Sequence, residues 1–244
     1  MKKLLAAVLF LSAVSLSAQV TLDTHNEQTV TGTTNNFNTT IGVNPNRIVI
    51  VCSTRASGTI TALTFSGSSI LANQIGTDTT STNKGACYYQ LAPSTGVQNM
   101  AITYSISQTS AFQTVTSFYN VNQASPLTTA VMGQATGTNP TVTANSSASG
   151  QAFSFLAHNG VGLPSVSGTG NVLLNVSNAG AIPYGVSRDA DGNASEPMSW
   201  TAVSQNWGMI TVGLKVAPAS TRRRAHVSDL LLIGPGELLA EIIR

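Results

Sequence analysis

The chain has 244 residues, of which 8% are charged and 6% aromatic, with a formal net charge of +2. Ordinary globular chains carry roughly 25% charged residues, so no basic surface for a polyanion can be assembled, which argues against nucleic-acid binding. A hydrophobic share of 42% is enough for a core and argues against disorder; the lack of a glycine period, heptads or long apolar runs excludes collagen, coiled coil and multi-span membrane protein.

Residues 1–18 (MKKLLAAVLFLSAVSLSA) read as an export signal. Lys2 and Lys3 form the positive start, residues 4–14 the apolar stretch, and Ser15, Ser17 and Ala18 the small-residue close. The apolar stretch is well short of the roughly 20 residues that a membrane span requires. Without this leader the chain carries nine basic and nine acidic residues. A surface so neutral lacks the repulsion that keeps proteins apart, so self-association or display in a surface layer is physically easy.

Residues 19–46 are rich in Thr and Asn, with a possible edge strand at 28–33 and loop at 35–40. Residues 47–54 (RIVIVCST) form a nearly continuous apolar run, the pattern of a strand covered on both faces. Residues 59–65 alternate and lead through a turn at Ser66-Gly67-Ser68. Further strands are expected at 86–91, 100–106, 112–119, 152–158, 172–176, 198–203 and 207–216. In the last of these Ile210, Val212 and Leu214 share one face; Trp207, Met209 and Thr211 share the other, read as the wet side. Gly, Pro, Asn and Ser clusters separate the strands, and helical periodicity is missing from the body.

Roughly ten short strands so spaced predict an all-β protein, an antiparallel β-sandwich of jelly-roll type, in one domain over 47–218. The segment 219–244 differs. Arg222, Arg223 and Arg224 precede an apolar run at 230–233 and a Gly-Pro-Gly break. Leu238, Leu239, Ile242 and Ile243 then fall on one helical face. Two turns are too short for a stable free helix; the readings are a loosely ordered end, docking on the body or a second copy, or a sorting signal.

Cys52 and Cys87 lie 35 positions apart. In an oxidising compartment such a pair bonds; two separately buried thiols are the alternative.

The run from Arg47 to Val216 resembles a module found in bacterial secreted, phage-associated and surface-exposed proteins of unassigned function. The resemblance lies in NRIVIV (46–51), TALTFSGSSI (61–70), YYQLAPSTG (88–96), SFYNVNQASPL (117–127) and SWTAVSQNWGMITVGLKV (199–216). It implies a β-sandwich of jelly-roll type and carries over no catalytic positions.

Groups that titrate or coordinate are scarce. His25 stands with Asp23 and Glu27 in a polar segment read as too flexible for a preorganised site. His158 ends a strand, with no GxSxG elbow in the chain to supply a serine. The segment 188–196 places Asp189, Asp191, Asn193 and Glu196 around a turn glycine, a set of oxygen ligands suited to Ca²⁺; the competing account is an Asp-Gly hairpin loop. Trp200 and Trp207, if exposed side by side, would make a stacking platform for sugar rings; the ordinary alternative is core packing. The expectation is a secreted or cell-surface protein, non-enzymatic, with a structural, adhesive or display role. A carbohydrate-binding module using Trp200 and Trp207 is the second reading, and a secreted glycan-active hydrolase the third. The partners expected are further copies of the chain or surface glycans.

Overall fold

The computed structural model describes residues 19–77, 84–159, 162–168, 170–179, 182–189 and 195–219. The expected leader and nearly all of the expected tail lie outside them. Strands β1 (Thr21–Ile41), β2 (Ile48–Arg55), β3 (Ile60–Phe65), β4 (Ser68–Ser69), β5 (Gln74–Thr77), β6 (Lys84–Leu91) and β7 (Gly96–Tyr119) form the first sheet. Its order is β4-β3-β7-β2-β6-β5, with β1 along the other side of β7. Strands β8 (Val131–Gly137), β9 (Thr141–Asn145), β10 (Gln151–His158), β11 (Ser165–Ser167), β12 (Asn171–Ala179), β13 (Ile182–Asp189), β14 (Ser195–Thr201) and β15 (Gln205–Leu214) follow. They divide into a second sheet, β12-β13-β10-β15-β8, and a small third one, β11-β14-β9. The strand ladders are antiparallel throughout. The all-β antiparallel fold read from the sequence is the fold of the protein.

Three apolar layers hold these sheets together. The first lies between the two large sheets, where Ile48, Ile50, Phe112 and Phe118 meet Phe153, Phe155, Ile210, Val212 and Leu214. Phe118 and Phe153 cross edge to face at 6.3 Å and 86°, a geometry worth about 0.5–1.5 kcal/mol beyond the area it buries. The Cys52–Cys87 disulfide is fully buried in the same layer. It joins directly opposed residues of β2 and β6, so the expected bond is present.

The second layer lies inside the first sheet, which curls over itself into a half-barrel. Val49, Val51 and Val115 from one half face Leu63, Phe65, Met100 and Ile102 from the other. Strand β2 therefore has apolar neighbours on both faces, as its unbroken apolar run predicts. The third layer lies between the second sheet and the small one, with Leu156 and Met209 against Val142, Met198 and Trp200.

Strands β1 and β7 produce the curl. They are paired from Thr21↔Tyr119 to Ile41↔Gly96, with register shifts around Gly32. Gly32 has φ +94°, a backbone state that costs glycine little and a residue with Cβ more. On the opposite strand Gln108 is buried, accepting from Ala56 N through Oε1 and donating from Nε2 to Ser57 O and Ile106 O. It plugs the bend and ties it to the β2–β3 connection.

Several expected boundaries move for this reason. The loop expected at 35–40 is strand, because Thr and Asn there find partners on β7. The separate strands expected at 100–106 and 112–119 are one bent strand. The turn at Ser66-Gly67 is as expected: both residues have positive φ, 52° and 76°, as a two-residue hairpin loop between Phe65 and Ser68 requires.

Candidate functional site

The tryptophan platform is corrected by burial. The face of β15 read as wet is covered by the small sheet. Trp200 is fully buried and Trp207 is 8% exposed, both in the third apolar layer. Trp200 Nε1 donates to Ser154 Oγ at 3.3 Å, and Ser154 Oγ is 2.7 Å from Ser187 Oγ. A buried indole with its N–H satisfied is a packing element. Neither ring offers a face to a sugar.

Of the four residues expected around Ca²⁺, Asp191 and Asn193 lie outside the described residues. The backbone of Asp189 ends β13, opposite Ala152 and Asn171. Glu196 is buried in β14, opposite Ala144. The hairpin account of this segment is corrected: β13 belongs to the second sheet and β14 to the third, so the two strands are not paired with each other. Among the described residues no group of three or more His, Cys, Asp or Glu side chains is gathered to hold a metal.

His158 is buried in β10, opposite Trp207. Burial alone pushes its imidazole below the ordinary histidine range, since the charged form loses hydration there.

His25 corrects the reading of a flexible segment, because it sits in the paired part of β1. Its Nδ1 is 2.8 Å from Thr116 Oγ1 and its Nε2 is 3.6 Å from Glu27 Oε2. The order hydroxyl, imidazole, carboxylate is that of a nucleophilic triad. Thr116 is fully buried in β7, however, and no strained turn lifts it toward solvent. The row acts as a clasp between β1 and β7.

The curl of β1 makes a site that the sequence did not reveal. Its first half folds across its second half, so that Asp23 Oδ2 accepts from Gly42 N at 2.8 Å and from Ser117 Oγ at 2.7 Å. Asn26 Nδ2 donates to Thr39 Oγ1 at 2.6 Å. Gly42 has no side chain because a Cβ there would collide with the Asp23 carboxylate. Between the two halves lies an open groove of about 590 Å³, lined by Thr24, His25 and Asn26 on one wall. Asn38, Thr39 and Thr40 form the other wall, and Val97 stands at the rim. Asn38 Oδ1 accepts from Asn99 Nδ2 at 3.0 Å. Apart from the His25 imidazole and Val97 the lining is hydroxyl and carboxamide, and Thr24, His25 and Asn38 are tied to β7 by side-chain hydrogen bonds.

A smaller cavity of about 300 Å³ lies at the far side of the half-barrel, among Arg55, Ile60, Leu71, Gln74, Thr77 and Tyr88. Arg55 is buried, donating from Nε to Gly58 O and from Nη2 to Thr77 Oγ1. Burial pushes the Tyr88 phenol up, against the opposing pull of the Arg55 charge and a hydrogen bond with Gln74. Arg55 closes the β2–β3 connection there.

The chain matches no family model, no curated protein and no solved structure. Sequence reasoning missed the groove because residues 35–40 resemble a loop in composition. The available signal was the threonine content of residues 29–40, since β-branched Thr favours strands, with one glycine in the middle to bend them.

Proposed function

We propose that this chain is a non-enzymatic secreted or cell-surface β-sandwich with a structural, adhesive or display role. The observation that carries the reading is strand β1. Among the described residues it is paired along its β7 side alone, and its 21 residues are mostly Thr, Asn and Gln. Unpaired strand edges recruit other chains. The three register shifts bend this edge, which limits how far a partner can follow it and favours a defined contact over an open-ended fibre.

Other features support the same reading. The disulfide fits an oxidising compartment, as does the leader-like start. Among the described residues no helix is long and apolar enough to cross a membrane. The resemblance to secreted and phage-associated bacterial modules belongs to this proposal too. Light scattering and sedimentation of the exported chain over a concentration series test it, alongside binding to intact bacterial surfaces. Concentration-dependent assembly or surface binding is expected. A chain that stays monomeric at all concentrations and binds no surface overturns the reading.

A further inference from the structure

The geometry points to the groove under the fold of β1 as a binding site for a neutral saccharide. This deepens the adhesive reading above and rests on it: the adhesive contact would be made with a glycan, through the side chains of the groove.

The lining chemistry selects the ligand class. Sugar hydroxyls both donate and accept, and they are matched by groups that do the same. Asn26, Asn38 and Thr40 are such groups, and all three line the groove, while Thr39 stands buried behind them and holds Asn26. The bond from Asn26 Nδ2 to Thr39 leaves the Asn26 carbonyl oxygen to accept. The bond from Asn99 occupies Asn38 Oδ1 and leaves its NH₂ to donate. An anionic or cationic ligand would need a compensating charge. The one titratable side chain in the lining, His25, is already held by Thr116 and faces Glu27.

Shape and order agree with the chemistry. A volume of about 590 Å³ lies within the roughly 300–1,000 Å³ of small-molecule sites. The walls are cross-linked by Asn26–Thr39 and Asp23–Gly42, so little side-chain entropy is lost when a ligand arrives. Val97, 69% exposed at the rim, offers an apolar contact for the C–H face of a sugar ring.

The test is an array of immobilised uncharged oligosaccharides, with gluco, galacto, manno and N-acetylglucosamine members, probed with the full chain. A random peptide array runs beside it. Binding to a neutral glycan class is expected, reduced tenfold or more by Asn38→Ala and abolished by Thr40→Phe, which fills the groove. Melting curves of both variants serve as the folding control. Should Thr40→Phe not fold, Thr40→Ala paired with Asn38→Ala decides through the same affinity ratio. No neutral glycan bound, full binding retained by the folded groove variants, or peptides preferred over glycans would each overturn the inference. Loss of glycan binding with concentration-dependent assembly intact overturns the groove alone. Loss of glycan binding, assembly and surface binding together overturns the adhesive reading as well.

Discussion

The phenol oxygen of Tyr104 accepts a hydrogen bond from Gln113 Nε2 at 3.0 Å and lies 2.7 Å from Ser53 Oγ. Tyr104 and Gln113 stand on opposite sides of the bend in β7, and Gln28 Nε2 of β1 extends the row to Gln113 Oε1 at 3.0 Å. One polar chain, buried at Ser53, Tyr104 and Gln113 and half-buried at Gln28, thus holds both halves of the half-barrel and its edge strand in register. Burial pushes the Tyr104 phenol up, while its bonds to Gln113 and Ser53 and the Arg55 charge pull the other way. The hydroxyl stays a neutral hydrogen-bond group at ordinary pH.

Tyr104→Phe therefore removes one partner from two buried polar groups. Leaving such groups unsatisfied costs about 1–3 kcal/mol. Urea unfolding should show that loss, with the denaturant slope unchanged. A variant as stable as the parent would show that the row is not holding the bend.

The disulfide closes a loop of 35 residues between β2 and β6. On chain entropy alone it contributes about 3–4 kcal/mol by restricting the unfolded state. The double variant Cys52→Ala, Cys87→Ala should lose about that much in equilibrium unfolding. Because both sulfurs are fully buried, a reductant should act on the native protein slowly, at the rate of local opening. Rapid reduction without loss of structure would contradict this placement.

Trp200 packs against the backbone of Gly185, where a Cβ would collide with the indole ring. Gly185→Ala should destabilise the protein by about 1–3 kcal/mol, the usual cost of overpacking. Trp200→Leu should relieve part of that cost, so the two changes couple in a double-mutant cycle. Tryptophan emission of the native chain should be blue-shifted and poorly quenched by iodide, because both indoles are buried. Efficient quenching would restore the exposed platform that burial rules out.

His158 gives the protein a pH dependence whose sign follows from burial. Its folded-state pKa is depressed below the ordinary 6.5. The unfolded chain then takes up a proton more readily as pH falls through about 6.5. Stability should drop as pH falls through that value and level off once the folded state also protonates. His158→Gln should flatten this part of the profile, read by thermal melting between pH 8 and pH 4. An unchanged profile would place the dependence elsewhere.

Much of the architecture was legible in the linear pattern, residue by residue. The apolar run of β2 announced a strand covered on both faces, and alternation in β15 placed Ile210, Val212 and Leu214 together. Ser66-Gly67 announced a hairpin, and the cysteine spacing allowed the bond that exists. The candidate groove was not legible. Its lining is mostly Thr and Asn of one strand, joined by His25 of that strand and Val97 of β7, and it forms only because β1 bends far enough for residues 24–26 to reach 38–40.

Period-two patterning acts locally, so the amino-acid order alone determined that the chain makes antiparallel strands with apolar faces. Which layer covers each face depends on contacts between residues far apart in the chain, and no local pattern encodes these. The small sheet that closes over Trp207 and Met209 is such a case, and so is the curl that sets Asn26 against Thr39. Tertiary packing therefore decided that the tryptophans are core, and that a polar groove opens where the sequence showed a loop.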